Sequence, residues 1–322
     1  MVHDDRRLRR SELSVPGTSA KMIAKAAASE ADLVFLDLED SVAPTAKAAA
    51  RQTIVSGLNE LDWNGKIRAC RINAVGSEWF YDDLHEVVSG AGANLDVVII
   101  PKVMTERDVW FVDESLSHLE RKLGLEVGRI GLEVLIEEAM GLMNVDAIAA
   151  ASPRLEALIL GVGDLAASQG VPGSHIGAAP AGDTPGTETD IWGYARQRVV
   201  VAARAHGLEP VDGPYASYRD EAGYSDLCTT FADIGGGGKW CIHPSQIALA
   251  NRAFSPSDDA ISQAEDIVAA VRKAEAEGLG AVGVDGVMFD AATARIFEQT
   301  LDRARLCREA ADRYAVPLLT GG

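Results

Sequence analysis

Short apolar runs alternate with stretches of helical spacing along almost the whole chain, and that beat limits the fold more than any other feature. The runs are LSVPG near Leu13, DLVFLDLED from Asp32, IRACRIN from Ile67, LDVVIIPKV from Leu95, RIGLEVLIEE from Arg129, LEALILGVGD from Leu155, LEPVDGPYASYRD from Leu208 and KWCIHPSQ from Lys239. A strand followed by a helix, repeated, implies βα units joined into a parallel sheet. About eight such units favour a closed (β/α)8 TIM barrel over an open doubly wound sheet. Neither GxGxxG nor GxxxxGK[ST] follows the first run, so dinucleotide and nucleotide phosphate-loop readings lose support. The expected organisation is an α/β catalytic barrel over residues 1–256 and a helical extension over 257–322. That extension reads as a helix to about Glu277, a Gly-rich turn GLGAVGVDG, and a second helix from Asp290 to Tyr314.

The run DLVFLDLED ends in three carboxylates, Asp37, Glu39 and Asp40, which burial would make costly without water, a cation or a metal. The other runs end in polar residues too. Strand three ends in Arg71 and Asn73, strand four in Lys102, strand five in Glu137 and Glu138, strand six in Asp164, strand seven in Asp212 and strand eight in His243. In a barrel enzyme the catalytic groups stand at these carboxyl ends. Carboxylates from strands five and six, with little nitrogen or sulfur nearby, suit Mg²⁺ or Mn²⁺. Glu137 and Asp164 are then direct ligands, while Asp37 and Glu39, on one face by the two-residue strand period, hold metal-bound waters. A single acid in such a place is more often a helix cap, and Asp40 and Asp164 each fit that role. Several strands ending alike shift the balance towards the metal.

Arg71 carries a fork of donors matched to a carboxylate or an enolate oxygen, with a structural salt bridge as the competing role. Lys102 is a candidate Schiff-base lysine, disfavoured because a divalent metal already withdraws electrons. His243 reads as a hydrogen-bonded residue of the mouth.

Composition removes other classes. The 322 residues are 47% hydrophobic and 24% charged, enough for a large core. A net charge of −18 repels nucleic acid and anionic lipid, although locally placed Arg and Lys can still gather a small anion. Cys70, Cys228, Cys241 and Cys307 form no CxxC pair, which speaks against a zinc knuckle or a disulfide framework. No apolar run is long enough to span a bilayer, and no apolar signal core follows the basic cluster at the start; the expectation is a cytoplasmic protein. Gly170 to Asp190, rich in Gly, Pro and Thr after strand six, is expected to be a lid or a surface insertion.

At these residues the chain resembles the citrate lyase beta-subunit and HpcH/HpaI aldolase superfamily, and within it the malyl-CoA lyases. The segments that carry the resemblance are RSELSVPG, VFLDLEDSVAP, RIN, IIPKV, EVLIEEAMG, LGVGDLAAS, DIW, DGPY, GKWCIHPSQIALANRAFSPS and GAVGVDGVMFD, in that order through nearly the whole chain. The resemblance implies a (β/α)8 barrel with a carboxy-terminal extension, Mg²⁺ on Glu137 and Asp164, and a CoA thioester substrate, with Gly163, Ile242 and His243 expected beside it and Lys21 or Lys25 expected at the CoA phosphates in place of the family's usual basic residue. It implies reversible cleavage of a 3-hydroxyacyl-CoA such as malyl-CoA to acetyl-CoA and glyoxylate, with Arg71 stabilising the thioester enolate. It also implies that Asp290 moves the proton at the acetyl carbon of a neighbouring subunit, hence a homotrimer or homohexamer; capping the helix that begins AATARIF is its other role. The chain departs from the family pattern at Thr18 and Ser19, where a basic residue is usual, and at Val287, where Lys or Arg is common. Three other activities compete: a malyl-CoA thioesterase, a citramalyl-CoA lyase and a CoA-independent aldolase of 2-oxo acids. A non-catalytic subunit ranks last, because Arg71, Glu137, Asp164 and Asp290 are all present.

Overall fold

The strands predicted from the apolar runs close on themselves. A computed structural model of the chain describes residues 7–172 and 190–315, so most of the Gly170–Asp190 loop lies outside the described residues. Eight parallel strands pair in sequence order, and the first bonds to the last to shut the barrel. They are β1 (Ser11–Pro16), β2 (Leu33–Asp37), β3 (Ile67–Arg71), β4 (Val97–Ile100), β5 (Gly131–Ile136), β6 (Leu155–Leu160), β7 (Glu209–Asp212) and β8 (Gly238–Cys241). The intervening helices are α1 (Ala20–Ala27), α2 (Lys47–Glu60), α3 (Phe80–Ala91), α4 (Glu106–Leu123), α5 (Ala139–Met143), α6 (Val145–Ala149), α7 (Val162–Gln169), α8 (Gly193–Ala205), α9 (Glu221–Asp233) and α10 (Ser245–Ala253).

Strand parity then sorts the side chains, because successive residues face opposite sides of the sheet. Val34 and Leu36 of β2 join the layer between barrel and helices, whereas Leu33 and Phe35 pack inside with Ile99, Ile159 and Trp240. All five residues of β2 are buried, which explains why the run is continuously apolar rather than alternating. Each large aliphatic or aromatic side chain so enclosed contributes about 1.5–3 kcal/mol. The same parity turns Asp37 inward and sets it level with Arg71, its Cα partner on β3.

Parity also corrects one expectation. Asp212, expected at the mouth, follows inward-facing Val211 and points the other way, to Lys239 at 2.5 Å and Arg196 at 3.5 Å. It is a buried structural ion pair between sheet and helix. Towards the amino ends of the strands the interior is polar as well: Arg9 Nε meets Glu133 Oε1 at 2.5 Å, and Arg9 also pairs with Glu156. Glu12 and Glu133 are fully buried there, a cluster the sequence signals only as carboxylates inside apolar runs.

The chain divides into two compact units, one ending at Phe254 and one beginning at Ser255. The second comprises α11 (Asp258–Ala276), a hairpin of β9 (Ala281–Val284) and β10 (Val287–Asp290), and α12 (Ala291–Ala315). The hairpin replaces the Gly-rich turn read from sequence. Its two-residue turn, Asp285-Gly286, has φ of 49° and 80°, the left-handed pair that a tight antiparallel turn needs and that Asp-Gly supplies.

Candidate active site

Seven expected or candidate residues meet at the carboxyl ends of β2 to β6. Arg71 donates through Nε to Asp37 Oδ1 at 2.7 Å and through Nη2 to Asp37 Oδ2 at 2.8 Å. Its third nitrogen, Nη1, lies 2.7 Å from Glu39 Oε2. Lys102, just past β4, reaches Glu39 Oε1 at 2.6 Å, Asp40 at 3.4 Å and Asp164 Oδ2 at 3.6 Å. Its own backbone N–H donates to Glu137 Oε1 at 2.8 Å. A left-handed φ of 52° at this lysine accompanies that contact, a conformation a bulky residue rarely adopts and one that collects at functional sites.

Glu137 follows β5 and is 3% exposed; Asp164 sits in the first turn of α7, after β6. A glycine makes room for Glu137 at this junction. A Cβ at Gly161 would come 2.6 Å from Glu137 Cβ and 2.7 Å from Glu137 Oε2, so only glycine lets the β6–α7 turn lie against that side chain. Beside these residues opens a cleft of about 400 Å³, lined by Glu39, Asp40, Lys47, Asn73, Trp79 and Lys102.

The electrostatics follow from crowding acids at a buried mouth. Burial, then the charges of Glu39 and Asp164, push the Glu137 carboxyl up to about 8. Burial also lifts Glu39, against the pull of Arg71 and Lys102. Asp37 goes the other way: burial opposes its charge, but Arg71 and two backbone N–H donors outweigh it and hold the carboxyl below its ordinary value. Arg71 and Lys102 stay charged for the reciprocal reason, burial being overcome by Asp37 for the one and Glu39 for the other. A lysine held above the ordinary range is unsuited to a Schiff base, which needs a neutral amine.

Asp37 departs from its expected role. Both of its oxygens are taken twice, by Glu39 N–H and Arg71 Nε on Oδ1 and by Ser41 N–H and Arg71 Nη2 on Oδ2, so no lone pair is left for metal-bound water. It orients Arg71 instead. Glu39 is braced from below: the buried Lys47 ammonium donates to Leu38 O at 2.7 Å, Glu39 O at 2.9 Å and Asn73 Oδ1 at 2.8 Å. Nothing in the alanine-rich stretch around Lys47 signals that role.

Could this donor set hold a divalent cation? Glu137 and Asp164 offer oxygen alone, and a carboxyl raised by its acidic neighbours is relieved when a cation joins them. Among the described residues no three His, Cys, Asp or Glu side chains converge as a cage. Mg²⁺ is commonly bound by one or two carboxylates with water and substrate completing the shell, so the pair fits it.

The other expected site residues are spread out. Lys21 and Lys25 are exposed on α1, Gly163 lies in the first turn of α7, and Ile242 and His243 follow β8, where His243 stacks on Tyr218 at 4.9 Å and contacts Ser245 Oγ at 2.9 Å. Asp290 belongs to the second unit and caps α12: its Oδ1 accepts from Ala292 N at 3.0 Å and Thr293 N at 2.9 Å, and Thr293 Oγ1 lies at 3.0 Å. Those bonds, led by Thr293, hold its carboxyl below the ordinary range.

Residues 10–244 match the family model described as HpcH/HpaI aldolase/citrate lyase. The chain belongs to the HpcH/HpaI aldolase/citrate lyase family. Among its relatives is the L-malyl-CoA/beta-methylmalyl-CoA lyase of Rhodobacter capsulatus, 40% identical over 94% of this chain and 96% of that one. A (3S)-malyl-CoA thioesterase of Cereibacter sphaeroides is 34% identical over 92% of this chain and 94% of its own length. The crystal structure of CitE from Mycobacterium tuberculosis, in complex with magnesium, acetoacetate and coenzyme A, aligns at a TM-score of 0.74 and 29% identity, covering 94% of this chain and all of that one.

Proposed function

We propose that the chain is a Mg²⁺-dependent carbon–carbon lyase that cleaves a 3-hydroxyacyl-CoA, such as malyl-CoA, to acetyl-CoA and glyoxylate. The observation that carries this is the meeting of the Glu137 and Asp164 carboxylates with an Arg71 fork pinned by Asp37, in a chain 40% identical to a malyl-CoA/beta-methylmalyl-CoA lyase. Glu137 and Asp164 would hold the metal, which when bound supplies Lewis-acid polarisation of the hydroxyl-bearing fragment. Asp37 takes Nε and Nη2 of Arg71 and Glu39 Oε2 lies 2.7 Å from Nη1, so the remaining N–H groups on Nη1 and Nη2 are the donors for the thioester oxygen. The hydroxyl gives up its proton to water and becomes the carbonyl of glyoxylate as the bond between its carbon and the carbon next to the thioester breaks; the electron pair of that bond enters the thioester, and Arg71 stabilises the enolate oxygen so formed. Lys102 stays protonated and keeps Glu39 and Asp164 from repelling that charge.

Asp290 of a neighbouring copy is assigned the proton at the acetyl carbon, with residues 257–322 as the segment that delivers it; its capping bonds fall on Oδ1, and Oδ2 carries none of them. That role requires a homo-oligomer, of three or six copies by family resemblance. Lys21, Lys25, Gly163, Ile242 and His243 are assigned to the CoA portion. The four cysteines are free thiols and no helix among the described residues is long and apolar enough to cross a membrane, both of which suit a reducing cytoplasm.

The thioesterase relative supports a second reading, in which hydrolysis of the thioester follows cleavage. One assay separates the two: purified protein with malyl-CoA and Mg²⁺, glyoxylate scored with phenylhydrazine and free thiol scored in parallel, with Asp164→Ala as control. Glyoxylate without free thiol, lost in the variant, is the expected result. Free thiol points to the thioesterase, and no glyoxylate overturns the malyl assignment and directs the test to citramalyl-CoA.

A further inference from the structure

Trp240 occupies the middle of the barrel interior, 4% exposed, on the strand that closes the barrel. Above it is Arg71, whose guanidinium carbon stands 5.4 Å from the centre of the indole ring. Phe35, 4.4 Å from Trp240, also faces that guanidinium, at 6.0 Å. Below it is Glu12, fully buried, which accepts a hydrogen bond from the indole Nε1 at 2.8 Å. Glu12 and Trp240 are Cα partners across β1 and β8, just as Asp37 and Arg71 are across β2 and β3. The two register pairs therefore stack inside the closed barrel, one over the other.

We propose that Trp240, fixed by Glu12, is the platform against which the Arg71 guanidinium is held, and that Glu12 and Trp240 are positioning residues for the reaction. This rests on the reading above that Arg71 stabilises the enolate. Asp37 bonds Nε and Nη2, and Glu39 Oε2 lies 2.7 Å from Nη1; hydrogen bonds to a guanidinium lie near its own plane, so these partners set its place but resist tilting out of that plane least. An aromatic face beneath the plane removes that freedom and attracts the cation, an effect strengthened where water is excluded. The indole in turn needs a fixed tilt, and a buried N–H with one acceptor supplies it. Glu12 Oε1 makes no hydrogen bond, and burial beside Glu133 lifts this carboxyl well above its ordinary range against the pull of Arg9, 4.0 Å away, so the group is committed to Trp240 through its other oxygen.

The experiment is a double-variant cycle in the lyase assay. Trp240→Phe keeps a ring but removes the indole N–H, and Glu12→Leu keeps a side chain of similar size but removes the acceptor. Each is expected to lower kcat about tenfold with KM within about twofold, as fits a misaimed group that acts in the transition state. Mn²⁺ affinity, read by electron paramagnetic resonance, is expected to be unchanged. In an Arg71→Lys background neither substitution should lower kcat further, because the platform then has no fork to aim. A full tenfold loss in that background, a fall in Mn²⁺ affinity, or no loss in the wild-type background overturns the proposal. If Trp240→Phe does not fold, Glu12→Leu decides alone. Arg71→Lys with wild-type kcat would instead remove the enolate role of Arg71, and the platform with it.

Discussion

At Asp37 and Arg71 one ion pair serves both stability and chemistry. The pair is buried, so removing one partner leaves the other charge stranded, which costs about 3–5 kcal/mol. Asp37→Asn should lower stability by that order near pH 7, measured by urea unfolding. The sign of its pH dependence follows from the folded carboxyl lying below its unfolded value of about 3.9. The stabilisation is present above the unfolded value and disappears as pH falls through the folded one, so the variant should also show a shallower acid limb. Lys102 offers a separate test of backbone strain. Lys102→Gly and Lys102→Ala both lose the ammonium, but only alanine keeps the left-handed penalty, so the glycine variant should be the more stable by roughly 1–2 kcal/mol in the same titration. Equal stabilities would mean that the φ of 52° carries no cost.

The decisive elements are the turns that end strands. At the β6–α7 junction Gly161 admits the Glu137 side chain, so Gly161→Ala should displace that carboxylate and reduce turnover about 100-fold while circular dichroism stays native. Wild-type turnover would show that the junction yields instead. Element boundaries were largely legible in sequence, because β1 to β8 coincide with the apolar runs, and α11 and α12 with the two helices read in the extension. The hairpin of β9 and β10 was legible too, in Asp285-Gly286 between apolar residues, but a Gly-rich stretch between two helices was read as a plain turn. Of the polar strand ends, Asp37, Glu39, Arg71, Lys102, Glu137 and Asp164 do stand near one another, and Asp212 does not join them. Their individual partners were not legible, since parity decides whether Asp37 faces the mouth and Asp212 the helices, and parity follows from which face of each strand the core claims.

For the molecule as a whole, the assignment of Asp290 to a neighbouring copy predicts complementation. Arg71→Ala and Asp290→Ala should each abolish turnover alone. Co-expressed, they should regain a measurable fraction, because some mixed assemblies contain one intact site. No recovery, with light scattering showing mixed oligomers, would place Asp290 in its own copy's site or outside the chemistry.

The sequence by itself determined the barrel, its polar pole and the identity of the carboxylates and the arginine there, because strand and helix periodicities are local and every run of the chain carries its own record of which face is buried. Only the tertiary structure decided who meets whom. Glu12 and Trp240 are 228 residues apart, and they become register partners only when β8 closes against β1. Lys102 meets Glu39 across 63 residues, through two intervening βα units. Closure brings strand ends from distant positions to one mouth, and it is there, where water is excluded and acids crowd, that Glu137 is pushed to about 8 and Asp37 is spent on holding Arg71.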